Sequence, residues 1–260
     1  MDRRDFTTAI GLAAAGAMLP AGAAADATFH MGMLLFDGMT YLDFAGPQDG
    51  LTKLRNGKVH AIAKSRDVVT TDTGIRVLPD MTLDEAPELD LLFVGGGQGI
   101  AAVMEDETVL AFLRQRAPRA RWITSVCTGA LVLGAAGLLR GYKAATHWTA
   151  MEILPVLGAE PVHERVVIDR NRITGGGVTA GIDFGLVVLQ QLGGDGLAKL
   201  VQLGSEYDPS PPFDCGSPRK APPELVQQFR TVSARATAAR LEAARRAAAG
   251  FSRGDRKSVV

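Results

Sequence analysis

The chain has few residues of the kinds that do chemistry or bind charged polymers. Among 260 residues there are two cysteines, four histidines and 6% aromatics, and the formal net charge is +0. No basic excess marks a nucleic-acid surface, and no acidic excess marks a disordered chain. The scarcity of aromatics also speaks against a base-stacking platform. No C-x-x-C occurs, and His30, His60, His147 and His163 are scattered, so nothing has the spacing of a metal site. Internal repeats are absent. The 47% hydrophobic content is that of a globular protein with one good-sized core.

One uncharged run stands at the start. Arg3-Arg4-Asp5-Phe6 precedes Thr7 to Ala25, which ends in Ala23-Ala24-Ala25. Paired arginines, an Ala/Gly-rich run and small terminal residues resemble a twin-arginine export leader over residues 1–25. The run is too poor in Leu and Ile for a membrane span. A membrane anchor and a plain tail are the alternatives. Export through this leader would place the mature protein in the periplasm or outside the cell, with no membrane attachment. Without it the protein would be cytoplasmic.

Beyond the leader, strands and helices alternate. Phe29–Phe36, Val59–Ala63 and Asp90–Val94 read as strands, and Tyr41–Leu54 as a helix. Val68–Leu78 reads as a strand pair broken at Thr73-Gly74, and Ile100–Met104 and Glu107–Gln115 as helices. Lys143–Thr146 is a short strand and Thr149–Leu157 a helix closed by Gly158. Arg165–Asp169 and Arg172–Thr174 form a hairpin, with helices after it over Thr179–Leu192 and Gly196–Tyr207. This order implies a mostly parallel sheet covered on both faces, with ligands gathering at the carboxyl ends of its strands. A single domain would span 26–250, including an Ala/Arg-rich helix from Pro222 with a frayed basic end. A disordered tail would cover 251–260.

The residues that bear chemistry fall at those strand ends. Trp122–Val126 is a β-branched strand running straight into Gly129–Gly134, with Cys127 at the junction. A cysteine there occupies a nucleophile elbow at the positive end of a helix. Its sulfur is expected to project from the core and to ionise more easily than a free thiol. A buried, merely packed cysteine is the alternative. Asp43 comes after the first strand by a short loop and is the candidate acid/base partner, with a helix cap as its alternative role. Thr128 can donate to the pocket or cap its helix. Gly96 and Gly97 can offer N–H groups to a substrate, and Val178 can wall the pocket. His147 reads as a structural hydrogen-bonding residue, Asp183 as a cap or packing residue, and Cys215, in a Pro-rich loop, as an incidental thiol.

Together these stretches resemble the ThiJ/PfpI superfamily, and within it the isonitrile-hydrating members. The resemblance is carried by Ser125-Val126-Cys127-Thr128-Gly129-Ala130-Leu131-Val132-Leu133-Gly134 and by Leu42-Asp43-Phe44-Ala45-Gly46-Pro47. Thr146-His147-Trp148, Thr174-Gly175-Gly176-Gly177-Val178-Thr179-Ala180-Gly181 and Pro211-Pro212-Phe213 add to it. It spans about Met31 to Ala236. It implies a flavodoxin-like three-layer α/β sandwich, like class I glutamine amidotransferases, plus a C-terminal helix. It implies a homodimer, no cofactor, and an isonitrile and water as the small-molecule partners. The reaction implied is hydration to an N-substituted formamide through a thioimidate on Cys127, with Asp43 and Thr128 assisting. Oxidant sensing or ligand binding without turnover, and glyoxalase or deglycase chemistry on small aldehydes, are the alternatives. In peptidase-type relatives a histidine directly succeeds the nucleophile; here that position is Thr128.

Overall fold

The computed structural model describes residues 27–254. The expected leader and most of the expected tail lie outside them. Seven strands form the central sheet: β1 (Phe29–Leu34), β2 (Gly57–Ala63), β5 (Met81–Thr82), β6 (Leu91–Val94), β7 (Trp122–Val126), β10 (Val166–Asp169) and β11 (Arg172–Gly175). Their spatial order is β10-β11-β7-β6-β1-β2-β5. Every neighbouring pair is parallel except the β10/β11 hairpin. β3 (Val69–Thr70) pairs antiparallel with β4 (Arg76–Val77), and β8 (Lys143–Ala144) pairs parallel with β9 (Glu160–Pro161), outside the sheet.

Alternation along each strand splits the core in two. Met31, Met33, Leu91, Phe93, Val126 and Ile173 face one layer, where Leu51 of α1 (Tyr41–Leu51) and Phe184, Val188 and Leu189 of α5 (Ala180–Gly204) cover them. Leu34, Leu92, Val94 and Ile123 face the other. That layer holds α2 (Ile100–Val103), α3 (Glu107–Arg116), α4 (Gly129–Ala135), a 3₁₀ helix (Trp148–Leu157) and Ala243 and Ala244 of α6 (Pro223–Gly254). Strands buried on both faces are what near-continuous apolar runs predict. The result is the expected three-layer α/β sandwich.

Three elements differ from expectation. Residues 179–192 and 196–207 read as separate helices, yet α5 runs from Ala180 to Gly204 with a kink at Gly194, whose φ of 79° no helix adopts. The segment expected as a helix over 149–157 is 3₁₀ and carries Pro155, which lacks the N–H for a regular turn. Helix α6 continues four residues past Gly250, into the expected tail. No helix among the described residues is long and apolar enough to cross a membrane.

The register fixes where the site lies. Leu34 pairs with Val94, Val94 with Ser125, and Val126 with Gly175, so four strands end level. The loops that leave them therefore open on the same edge. In the order β2-β1-β6-β7 the sheet winds outward in opposite directions from β1 and β6, and the crevice between these two parallel strands is where doubly wound sheets place ligands. Gly129 lets the elbow helix approach this edge: a Cβ there would lie 2.0 Å from the Val94 carbonyl oxygen. Gly129→Ala should therefore lower unfolding stability by about 1–3 kcal/mol, the usual cost of overpacking, as read from urea denaturation.

Candidate active site

Cys127 has φ 57°, a left-handed conformation rare for a non-glycine residue. The strain, of order 1–3 kcal/mol, is held by the surroundings. Its N–H donates to the carbonyls of Gly175 and Gly176 at 3.1 and 2.8 Å. Its own carbonyl accepts from Thr146 Oγ1 at 2.7 Å. The elbow is thus tied to the end of β11 and to the loop after β8.

Asp43 stands in the first turn of α1 and is fully buried. The helix begins at Tyr41 and no side chain caps it, so Asp43 is not a cap. Instead Oδ2 accepts from the Gly96 N–H at 2.7 Å. Oδ1 is buried with no hydrogen-bond partner, and the Cys127 thiol is near enough to favour the carboxylate. Burial raises the Asp43 pKa from its ordinary 3.8 to about 6. The Gly96 N–H and the Cys127 thiol hold it back, and the Asp72 charge adds to the rise.

The thiol corrects one expectation. Cys127 is 5% exposed rather than projecting from the core. Burial pushes its pKa up to about 12, and the neighbouring Asp43 charge adds to the rise. The N–H groups of Val178 and Thr128 donate toward the sulfur and pull the other way. The helix end is present as expected, but desolvation beside a carboxylate outweighs it. At neutral pH the resting pair is therefore a thiol beside a carboxylate, with one proton between two buried acids.

The glycine loop after β6 organises this pair. The Gly97 N–H donates to Thr128 Oγ1 at 3.2 Å, while the Gly96 carbonyl accepts from the Thr40 N–H at 2.9 Å. A Cβ on Gly96 would fall 2.6 Å from the Thr128 backbone nitrogen and 2.9 Å from Asp43 Oδ2. Gly96 and Gly97 were expected to offer N–H groups to a substrate. Both groups are instead taken up by Asp43 and Thr128, so these glycines build the site rather than bind in it. Thr128, 2% exposed, uses its hydroxyl on Gly97 and makes no helix cap. Val178 lies beside the sulfur, and its N–H carries the polar contact; its φ of 24° shows how tightly that backbone is turned.

The other singled-out residues sit around this centre without joining it. His147 caps the 3₁₀ helix: Nδ1 accepts from the Thr149 N–H and lies 2.8 Å from Thr149 Oγ1. Burial lowers its pKa to about 4, so it is neutral at physiological pH. Asp183, in the first turn of α5, pairs with Arg165. Cys127 and Cys215 are both free thiols. A cavity of about 190 Å³ opens between α1 and α5, lined by Gly46, Gly50, Ile182, Leu186 and Tyr207, none of which belongs to the site.

Sequence reasoning missed Arg240. This residue of α6 is 7% exposed, and its Nη2 donates to the Gly97 carbonyl at 3.0 Å. The only signal was an arginine within the Ala-rich helix Ala236–Ala249, where many arginines look alike.

The raised acid pKa of Asp43 has a stability consequence. The native state holds this proton more tightly than the unfolded chain does, so this group's contribution is greatest below pH 4 and falls as the pH rises to about 6. The loss amounts to roughly 3 kcal/mol. Asp43→Asn should be less sensitive, gaining on the wild type by roughly that amount between pH 4 and 7. Chemical denaturation of both proteins across this range checks it.

Comparison with known proteins places this arrangement. The chain is 50% identical over 220 residues to isonitrile hydratase from Pseudomonas putida, covering 85% of this chain and 96% of that protein. A crystal structure of a ThiJ/PfpI family protein from Pseudomonas syringae superposes with a TM-score of 0.82 at 42% identity, covering 89% of this chain and 99% of that one. The HTH-type transcriptional regulator GbdR of Pseudomonas aeruginosa is 32% identical over 59% of this chain, but that match covers only 44% of the regulator. The DJ-1/PfpI family model matches residues 31–191, more than half of the chain, from within β1 through the elbow and into α5. The chain belongs to the DJ-1/PfpI family.

Proposed function

We propose that this protein hydrates isonitriles, R–N≡C, to N-substituted formamides, with Cys127 as nucleophile and Asp43 as proton carrier. The observation that carries the chemistry is the buried Cys127 thiol beside an Asp43 carboxyl whose pKa is about 6. The substrate class is supported by the relative at 50% identity whose name states that activity.

The resting protonation state suits this substrate. An isonitrile carbon is poorly electrophilic until it gains a proton, and a free thiolate alone supplies none. Asp43 takes the thiol proton as sulfur attacks the terminal carbon, then delivers it to that same carbon. The product is a thioimidate, R–N=CH–S–Cys127, containing all atoms of the thiol and the isonitrile. Water then adds to the thioimidate carbon, with Asp43 accepting one of its protons. Collapse breaks the C–S bond, and the proton returns to sulfur. The second proton of the water resides on nitrogen, giving R–NH–CHO and restoring the thiol. No redox change occurs, and the residues require no cofactor for these steps.

The N–H groups of Val178 and Thr128 lower the cost of negative charge on sulfur at both C–S steps. The alternative in which Cys127 senses oxidants is less well supported. Fast reaction with peroxide favours a low-pKa, accessible thiolate, and this sulfur is buried with a raised pKa. A peptidase role lacks its base, because His147 engages Thr149. On the same reading the mature protein is an exported homodimer.

Turnover of cyclohexyl isocyanide should fall as the pH drops through about 6, where Asp43 becomes protonated and can no longer accept the thiol proton. Activity should be level above that point into the alkaline range. Asp43→Asn should reduce kcat by roughly 10²–10⁴-fold, the usual weight of a general acid/base, and Cys127→Ala should leave none. A formamide assay by gas chromatography reads all three. A wild type that forms no formamide would overturn the proposal.

A further inference from the structure

The C-terminal helix α6 lies beyond the 31–191 segment that matches the family. Its Ala243 and Ala244 are buried in the core, and Arg240 lies one turn earlier on the same face, 7% exposed. Nη2 holds the Gly97 carbonyl, whereas Nε is buried without a partner. Among the described residues Arg240 makes no ion pair with a carboxylate. A guanidinium so placed is costly unless something nearby repays its lost hydration.

Its neighbours show what that is. Burial works against the guanidinium's charge, and negative charge on Cys127 works for it. The same positive charge disfavours protonation of His147. Attraction between two sites is reciprocal, so a guanidinium favoured by a thiolate also favours the thiolate as it forms, although burial and the Asp43 charge govern the resting thiol. The Gly97 carbonyl that Arg240 grips belongs to the loop whose N–H groups hold Asp43 and Thr128.

We propose that Arg240 is a positioning residue for the Cys127 reaction: it fastens the glycine loop that orients Asp43 and Thr128, and its buried charge offsets the negative charge gathering on sulfur as the thiol proton leaves. The C-terminal helix is then a working part of the site. The inference builds on the proposed hydration but concerns the thiol itself, so it is testable without turnover.

The test uses full-length protein carrying Cys215→Ser, so that Cys127 is the one thiol. Arg240→Gln keeps a donor for Gly97 and removes the charge; Arg240→Lys keeps the charge. Alkylation of Cys127 by iodoacetamide at pH 8 is tracked by mass spectrometry, alongside kcat and KM for cyclohexyl isocyanide. Arg240→Gln should slow alkylation roughly 10-fold or more, since an opposite charge at short range shifts a pKa by about a unit or more. Its kcat should fall by a similar factor with KM little changed, and Arg240→Lys should recover most of both. Alkylation of Arg240→Gln at the wild-type rate would overturn the proposal, as would equal slowing in the glutamine and lysine variants. If the wild type turns over no isonitrile, the proposed reaction fails while the alkylation rates still decide the role of Arg240.

Discussion

Two acids buried side by side with one proton between them set the terms for everything around this site. Neither Cys127 nor Asp43 reaches solvent freely; the Asp43 charge raises the cost of ionising Cys127, whereas the thiol eases the ionisation of Asp43. The arrangement works against stability at neutral pH, because a carboxylate is held where water cannot solvate it fully. Its value is chemical. In the proposed reaction a proton that is easily moved but not lost to solvent leaves sulfur and arrives on carbon within one encounter. Stability given up at a reacting centre in this way is common in enzymes.

The fold supplies what this pair cannot supply for itself. Level ends of β1, β6, β7 and β11 bring four loops to one edge. From the first comes Asp43, from the second the glycine loop, from the third Cys127, and from the fourth the Val178 N–H. The strained φ of Cys127 is held by the Gly175 and Gly176 carbonyls, which accept the same N–H. The glycine loop then acts as a crosspiece: one N–H on the acid, the next on Thr128, and a carbonyl gripped by Arg240. A methyl group at Gly96 has no room among these contacts.

Much of this was legible in the sequence because it depends on local pattern. Apolar runs ending at glycine turns marked β1 and β6, and a cysteine between a β-branched strand and a small-residue helix marked β7 and the elbow. Asp43 was legible as a candidate from its position after the first strand, although capping was an equally local reading. Burial was not legible. Electrostatics at Cys127 is decided by desolvation and by a carboxylate 84 positions away in sequence, and local pattern reports neither. For the same reason the N–H groups of Gly96 and Gly97 looked free when both are engaged within the site. Arg240 was hidden by its setting, because helical arginines in an Ala-rich stretch are normally solvated and only tertiary packing turns one inward.

The location of that one proton is the point on which the account stands. Infrared difference spectroscopy, comparing wild type with Cys127→Ala in protein carrying Cys215→Ser and labelled at its carboxyl groups, reads the S–H stretch and the Asp43 carboxyl together. The account predicts an S–H band that persists at pH 8, with the Asp43 carboxyl ionising near pH 6. Loss of the S–H band by neutral pH, with Asp43 still protonated there, would place a thiolate in the resting site and contradict it.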